Sequence, residues 1–372
     1  MECKTSHTIL QLLRQAIGDR TEGVEDWANT DWQELYSASR QHGITAMIWH
    51  QLQELITEGE IPAEQIPDRA VKLSWAVSAE NIIKRYHKQE RLSAELAEIY
   101  ANHNIATIVL KGLAISGYYP TAEHRECGDL DCFLLGRNDK ATPTPCYAEG
   151  NRIAKEAGAK VEEDFYKHSH INFRGMMVEN HAFCTAIRGS RRRKEFERHL
   201  QQLLITKPTT PIANTLLLRP CADFNALFLT AHSFGHYLTE GIKLRHIVDW
   251  ALLLKAEQDN IDWESFYSWC DRMHYTKFAE IMTAIAVEYL GVDVTNPAVR
   301  SKSPLTKRVI EDIMHSNRSI HNLKISKTKE RMLIIRSRLF GGWRYRDIYE
   351  RSAFMDTLSM ITSFIFERKP KL

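Results

Sequence analysis

A chain of 372 residues, 44% hydrophobic and 26% charged, is long enough for two or three units with substantial cores and has an ordinary globular balance. Its net charge of +2 excludes binding to nucleic acid or membrane through overall charge and leaves only local patches. No run of about 18 apolar residues could cross a bilayer, and the opening MECKTSHTILQLLRQ lacks the basic start, apolar centre and small-residue cleavage site of a secretion signal.

Residues 1–104 read as helices. TILQLLRQAI is amphipathic, with Thr or Ser nearby as a cap. DWQELYSASRQHGITAMIWHQLQEL spaces apolar residues three and four apart, and RAVKLSWAVSAENIIKRYHKQERLSAELAEIYANHN predicts one long helix with a charged outer face. Pro62 and Pro67 mark the loop between them. Near residue 105 the period changes. IATIVLKG is a short β-branched strand ending at Gly112, LAISGYYPT a short helix stopped near Pro120, and CGDLDCFLLG the next strand. TPTPC, with Pro143 and Pro145, predicts a loop. YAEGNRIAKEAGAK predicts a helix with Gly158 near its end, AKVEEDFY a strand, and HINFRGMMVENHAF two strands around an Arg174-Gly175 turn. From about residue 190 helices return, and the tail from Asn317 to Leu372 is predicted helical and basic, with 13 Lys/Arg against 5 Asp/Glu. The expected fold class is α+β: a small mixed sheet over 105–187, flanked by helical regions at 1–104 and 188–372. Seven scattered cysteines with no Cys-x-x-Cys pair fit buried thiols in a reduced cytoplasm and speak against a zinc site.

Chemistry concentrates in the sheet region. Asp129 and Asp131 sit two apart on a strand and so share a face. Two carboxylates that close repel, and one titrates high unless a cation joins them. A hard divalent ion such as Mg²⁺ resolves the repulsion because it prefers oxygen ligands. The plainer alternative is a loop edge where both are solvated. Lys111-Gly112 closes the preceding strand and opens a helix. Glycine there lets backbone approach a phosphate, helix amides favour anions, and lysine adds a point charge. Glu179, in MMVENH, completes a three-carboxylate set if its strand lies beside the aspartates. Such a set around Mg²⁺ suits in-line phosphoryl or nucleotidyl transfer.

These residues carry a resemblance. LKGLAISGYYPTAEHRECGDLDCFLL, followed by VENH and then HSFGHYLTEGIKLRHIVDWALLL, resembles the bacterial family of uncharacterised nucleotidyltransferases, within the superfamily of the DNA polymerase β type. DWQELYSASRQHGI resembles that family's opening helices, and the likeness runs over roughly residues 25–260. The resemblance implies that Asp129 and Asp131 are metal ligands and that Glu179 is the third carboxylate, as ligand or as base. It implies that Lys111 and Gly112 lie against the triphosphate, that Mg²⁺ is the cofactor and that an NTP is the co-substrate. The acceptor, small or macromolecular, is left open. The wider superfamily usually carries Gly-Ser or Gly-Gly before the acidic pair; Lys111-Gly112 stands there instead, at a longer spacing, so a serine contact to phosphate is missing.

Other candidates have two readings each. Arg125 can pair with a phosphate or with an aspartate. Arg245 and Asp249, four apart on a helix, form an ion pair, or Arg245 reaches the triphosphate. His181 shares a face with Glu179 and touches a metal or phosphate, or packs behind the ligands; His168 and His170 flank the same hairpin. His232 and His236 have zinc-compatible spacing, but HSFGH lacks the glutamate of HExxH. The basic clusters GSRRRKEFERH and GGWRYRDIYERS can meet a nucleic acid or be solvated helix faces over packed aromatics. The alternative to an enzyme is a module of the same fold that binds nucleotide or RNA without turnover; a toxin-like enzyme acting on a macromolecule shares the chemistry.

Overall fold

The computed structural model describes residues 4–315 except 20–22, 25–26, 139–140 and 164, and then 342–352, 354–355, 358 and 362. The chain opens with α1 (Lys4–Ala16), α2 (Trp32–His42) and α3 (Thr45–Glu58). Asp31 caps α2 by accepting from the Glu34 amide at 2.8 Å. Gly43 ends it in the left-handed conformation, φ +68°, which glycine adopts without strain. The long helix α4 (Arg69–Ala101) has 33 residues and spans about 50 Å. Its first part buries Val71 and Trp75 against the N-terminal helices, and Trp75 donates its indole N–H to the Thr45 carbonyl. Its second part buries Leu92, Leu96 and Tyr100 under the sheet. One helix thus ties two cores together.

The sheet has eight strands: β1 (Ile105–Val109), β2 (Leu130–Asn138), β3 (Ala141–Pro145), β4 (Lys160–Glu162), β5 (His168–Phe173), β6 (Met176–His181), β7 (Thr210–Pro211) and β8 (Leu217–Arg219). Its order is β4-β5-β6-β2-β1-β8-β7, with β3 paired to β2. Pairing is mixed: β2 runs parallel to β6 and antiparallel to β1, while β8 is parallel to β1. The β5–β6 hairpin turns through Arg174 and Gly175, both at positive φ, as a two-residue hairpin loop of this twist requires.

Two strand assignments differ from the pattern. All of the predicted loop TPTPC but Cys146 belongs to strand β3, which proline permits because a sheet edge leaves its missing N–H uncounted. Strands β7 and β8 come from a stretch read as helical; at two and three residues they are too short to show a period. The predicted helices otherwise stand: α5 (Leu113–Ser116), α6 (Tyr147–Glu156), α7 (Arg191–Thr206), α8 (Ala222–Thr239), α9 (Leu244–Glu257), α10 (Trp263–Met273), α11 (Thr276–Glu288) and α12 (Thr306–His315).

Strand alternation sorts the two cores. Leu130, Cys132 and Leu134 of β2 face α4 and α6, whereas Phe133 and Leu135 face the helices from both ends of the chain. Asp131 belongs to this second face, so the helices from both ends pack over the site. Of the basic tail, Arg344 and Tyr345 are buried; Arg344 donates to the Tyr237 carbonyl at 2.6 Å and pairs with Asp312. Tyr345 and Tyr349 pack as that reading expects, but Arg344 is buried rather than turned to solvent, and most of the tail from Asn317 lies outside the described residues. Among the described residues no helix is long and apolar enough to cross a membrane.

Buried neutral histidines give the fold a pH dependence. Burial lowers His42, His124 and His168 from 6.5 to about 4, and the His42 Nδ1 accepts from the Leu244 amide, which requires that nitrogen unprotonated. Between those values the unfolded chain binds protons that the folded chain refuses, so stability falls as pH drops. The expected loss from about pH 7 to about pH 4.5 is several kcal/mol in total. It is read as a falling urea midpoint, and a flat midpoint would contradict it.

Candidate active site

The parallel pairing of β2 with β6 sets Asp131 directly beside Glu179. The β5–β6 hairpin adds His170 opposite Glu179 and His168 opposite His181. Because Ile171, Phe173, Met176 and Val178 fill the α4–α6 core, alternation turns these five polar residues to the opposite face. Asp129 is one residue before β2 and exposed, at the open mouth of the same face. The sheet therefore brings Asp131 and Glu179 into one row and leaves Asp129 at its edge.

Asp131 is buried and its carboxylate lies between two cations. Lys111 Nζ is 2.9 Å from Oδ2, and His181 Nε2 is 3.2 Å from Oδ1. Burial works against the Asp131 charge, but Lys111 and then His181 outweigh it and hold the carboxyl well below the usual range. Lys111 is raised in turn: burial opposes its charge and Asp131 overcomes that. His181 follows the same logic, opposed by burial and raised by hydrogen bonds to Asp131 and Glu179. Glu179 is lowered despite burial, chiefly through His181. Asp129 moves the other way. Loss of hydration raises it, Lys111 counters, and Asp131 and Glu179 add repulsion. The mouth of the row is the one place among these carboxylates where negative charge is under-compensated.

Gly112 stands at φ +64°, ψ −114°, a backbone state that strains any residue with a Cβ. It directs the chain from β1 over the Asp129 carbonyl and the Arg125 guanidinium. The helix it opens is a single turn, and the amides of Ala114, Ile115 and Ser116 are spent on carbonyls of Lys111 and Gly112. The anion-binding capacity expected of a helix start is correspondingly small.

Arg125 and Arg245 both hold the loop that carries Asp129. The buried Arg125 gives a forked pair to Asp249 of α9, Nε to Oδ1 at 2.9 Å and Nη2 to Oδ2 at 2.7 Å. The Tyr119 hydroxyl donates to the same carboxylate at 2.6 Å. Asp249 is thus taken by Arg125, not by Arg245 one helical turn away. Arg245 Nη1 donates instead to the Glu126 carbonyl at 2.5 Å, beside Gly43. From the other side α4 supplies Gln89 to the Gly128 carbonyl and Arg85 to Glu126.

Residues without a sequence signal complete the surroundings. Lys167 is lowered by burial and feels both Asp131 and Glu179. The buried Glu197 accepts from the amides of Cys184 and Thr185, both at 2.7 Å, and so pins the turn that follows β6. It comes from the basic cluster GSRRRKEFERH, whose Ser190 caps α7 and whose Arg191 lies exposed against Glu195. A cavity of about 310 Å³ opens between this turn and α8, lined by Lys167, Arg193, His232, His236 and Tyr275 among others. His232 packs against His236 and is lowered well below its ordinary value by burial, with Lys111 adding to the effect. The cavity therefore adjoins the carboxylate row. A second, more open cleft of about 820 Å³ between α2 and α4 carries Arg40, Lys84, Arg85 and Lys88.

No curated protein and no solved structure gives a match to the chain. A family described as uncharacterised nucleotidyltransferase matches residues 28–291, well over half the chain, and that span holds Lys111, Asp129, Asp131, Glu179 and both helices that lock the Asp129 loop. The chain belongs to this nucleotidyltransferase family.

Proposed function

We propose that the chain is a Mg²⁺-dependent nucleotidyltransferase of the DNA polymerase β type, moving a nucleoside monophosphate from an NTP to an acceptor hydroxyl with release of pyrophosphate. The observation that carries this is the pairing of Asp131 with Glu179 in register, with Asp129 at the open end and Lys111 against Asp131. Asp129, Asp131 and Glu179 offer only oxygen donors, and the repulsion they place on Asp129 is what a hard cation relieves. Mg²⁺, when bound, supplies charge neutralisation at the triphosphate and at the attacking and leaving oxygens.

The chain's own residues do the rest. Lys111 exchanges its Asp131 contact for non-bridging phosphate oxygens, and Gly112 keeps the backbone clear of them. The acceptor oxygen bonds to the α-phosphorus as the bond to the bridging oxygen on its β side breaks, and the electron pair leaves with pyrophosphate. The hydroxyl proton passes to Glu179, which the His181 hydrogen bond keeps ionised beforehand. The acceptor lies in the cavity lined by Lys167 and His232. NTP and Mg²⁺ are cytoplasmic reagents, and Cys127, Cys132, Cys146, Cys184, Cys221 and Cys270 are free thiols suited to that compartment.

A second reading is a nucleotide- or RNA-binding module without turnover. It is favoured by the internal neutralisation of Asp131 and by the spent amides of α5. RNA would then follow the basic cleft of Arg40, Lys84, Arg85 and Lys88. Pyrophosphate release from each NTP with Mg²⁺ separates the two. The enzyme reading expects Glu179→Gln to lower release by about 100-fold or more. Thermal stabilisation by NTP with no pyrophosphate formed would favour the module.

A further inference from the structure

We infer that His168, Glu179 and His181 form a second cation site, selective for a borderline transition-metal ion of the Mn²⁺ to Zn²⁺ series over Mg²⁺. This goes beyond nucleotidyl transfer and stands without it. The donor atoms all lie within 4.8 Å of one another. Glu179 Oε2 is 3.3 Å from His168 Nδ1 and 3.3 Å from His181 Nε2. Ligands about 2.1 Å from a tetrahedral ion sit about 3.4 Å apart, so these two edges already have the spacing of a coordination shell.

The tautomer of His181 supports the assignment. Its Nδ1 is 3.0 Å from the Phe183 carbonyl, which can only accept, so Nδ1 carries a proton. Nε2 then faces two carboxylate oxygens, Asp131 Oδ1 at 3.2 Å and Glu179 Oε2 at 3.3 Å. Two anions at one nitrogen call for positive charge there, supplied by the proton of the imidazolium or by a metal ion that displaces it. Metal-binding histidines fix their ring by donating one N–H to a backbone carbonyl, as His181 Nδ1 does to Phe183, which leaves the other nitrogen for the ion. His168 adds an independent sign: it is only 9% exposed, and its Nδ1 makes no hydrogen bond although it points at Glu179. Burying such a nitrogen without a partner costs stability unless something binds it.

Imidazole donors decide the class of ion. Mg²⁺ keeps to oxygen, whereas Mn²⁺, Co²⁺ and Zn²⁺ accept nitrogen readily and in rising order of affinity toward the later metals. The scattered cysteines, which speak against zinc, have no part in this site. Glu179 is the one residue the two sites share, and Asp129 and Asp131 belong to the Mg²⁺ set alone.

The test uses the full chain, stripped with a chelator and titrated with Co²⁺ without nucleotide, so that it reads binding whether or not the chain is an enzyme. One equivalent should bind with visible d–d absorption and resist a large excess of Mg²⁺. His168→Gln should weaken binding by about 10–100-fold or more, while Asp129→Asn and His236→Gln should each leave it within about twofold. If His168→Gln does not fold, Glu179→Gln is measured in the same way with the same expectation. Absence of a Co²⁺ band, ready displacement by Mg²⁺, or unchanged affinity in the ligand variant would overturn the site and leave His181 as a plain imidazolium counter-ion.

Discussion

Asp131→Asn is expected to lower nucleotidyl transfer by about a thousandfold or more while leaving a folded chain. Asp131 is the buried centre of the row, touched by Lys111, His181 and, across one strand pairing, Glu179. The amide keeps the shape and can still accept one hydrogen bond, but it removes the charge on which three neighbours depend. Lys111 loses the carboxylate that raises it, His181 loses one of two anions, and the proposed Mg²⁺ would lose its central oxygen ligand. Removing one preorganised polar contributor at a reacting phosphorus costs about 10²–10³ in rate, and disturbing the metal set adds to that. The same change leaves an ammonium half-buried and should lower stability by up to about 3 kcal/mol. The measurement pairs transfer rate with a urea midpoint. Full activity in a folded variant would remove Asp131 from the reaction.

The largest stability effect is expected at Asp249. Its carboxylate accepts two bonds from Arg125 and one from Tyr119, in surroundings that exclude water from both charges. Asp249→Ala leaves the Arg125 guanidinium buried and unpaired, which costs about 3–5 kcal/mol. Most of that is the price of the orphaned charge rather than the worth of the pair. The double change Arg125→Met with Asp249→Leu should therefore recover most of the loss. Urea unfolding of the two single variants and the double variant measures the coupling. A cost below about 1 kcal/mol for Asp249→Ala would mean that water reaches the pair and that it behaves as a surface bridge. In the folded double variant, transfer should be weakened further than stability explains, because Arg125 also sets the path of the loop bearing Asp129.

Much of this was legible in the sequence, and the reasons are physical. The long helices declare themselves through three-and-four spacing, and the Arg-Gly hairpin through its turn residues. The Asp129–Asp131 pair drew notice as like charges on a strand, and Glu179 through its place on the next candidate strand. Pairing partners were beyond reach. Nothing in LRHIVDW shows that Asp249 turns to Arg125, 124 residues earlier, rather than to Arg245 on its own helix. The short strands β7 and β8 carry too few residues for a period, and prolines hid the edge strand β3. Lys167 and Glu197 matter through burial, which no local pattern records. His181 showed its face but not that its ring would stand between Asp131 and Glu179.

The most direct test of nucleotidyl transfer at this row compares where the label goes. The full chain is incubated with Mg²⁺ and a cell extract, once with NTP labelled at the α-phosphate and once with NTP labelled at the γ-phosphate. Nucleotidyl transfer predicts an acceptor labelled only from the α position, with the γ label recovered as pyrophosphate, and neither product with Asp131→Asn. Label reaching the acceptor from the γ position, or intact NTP under every condition, would contradict it.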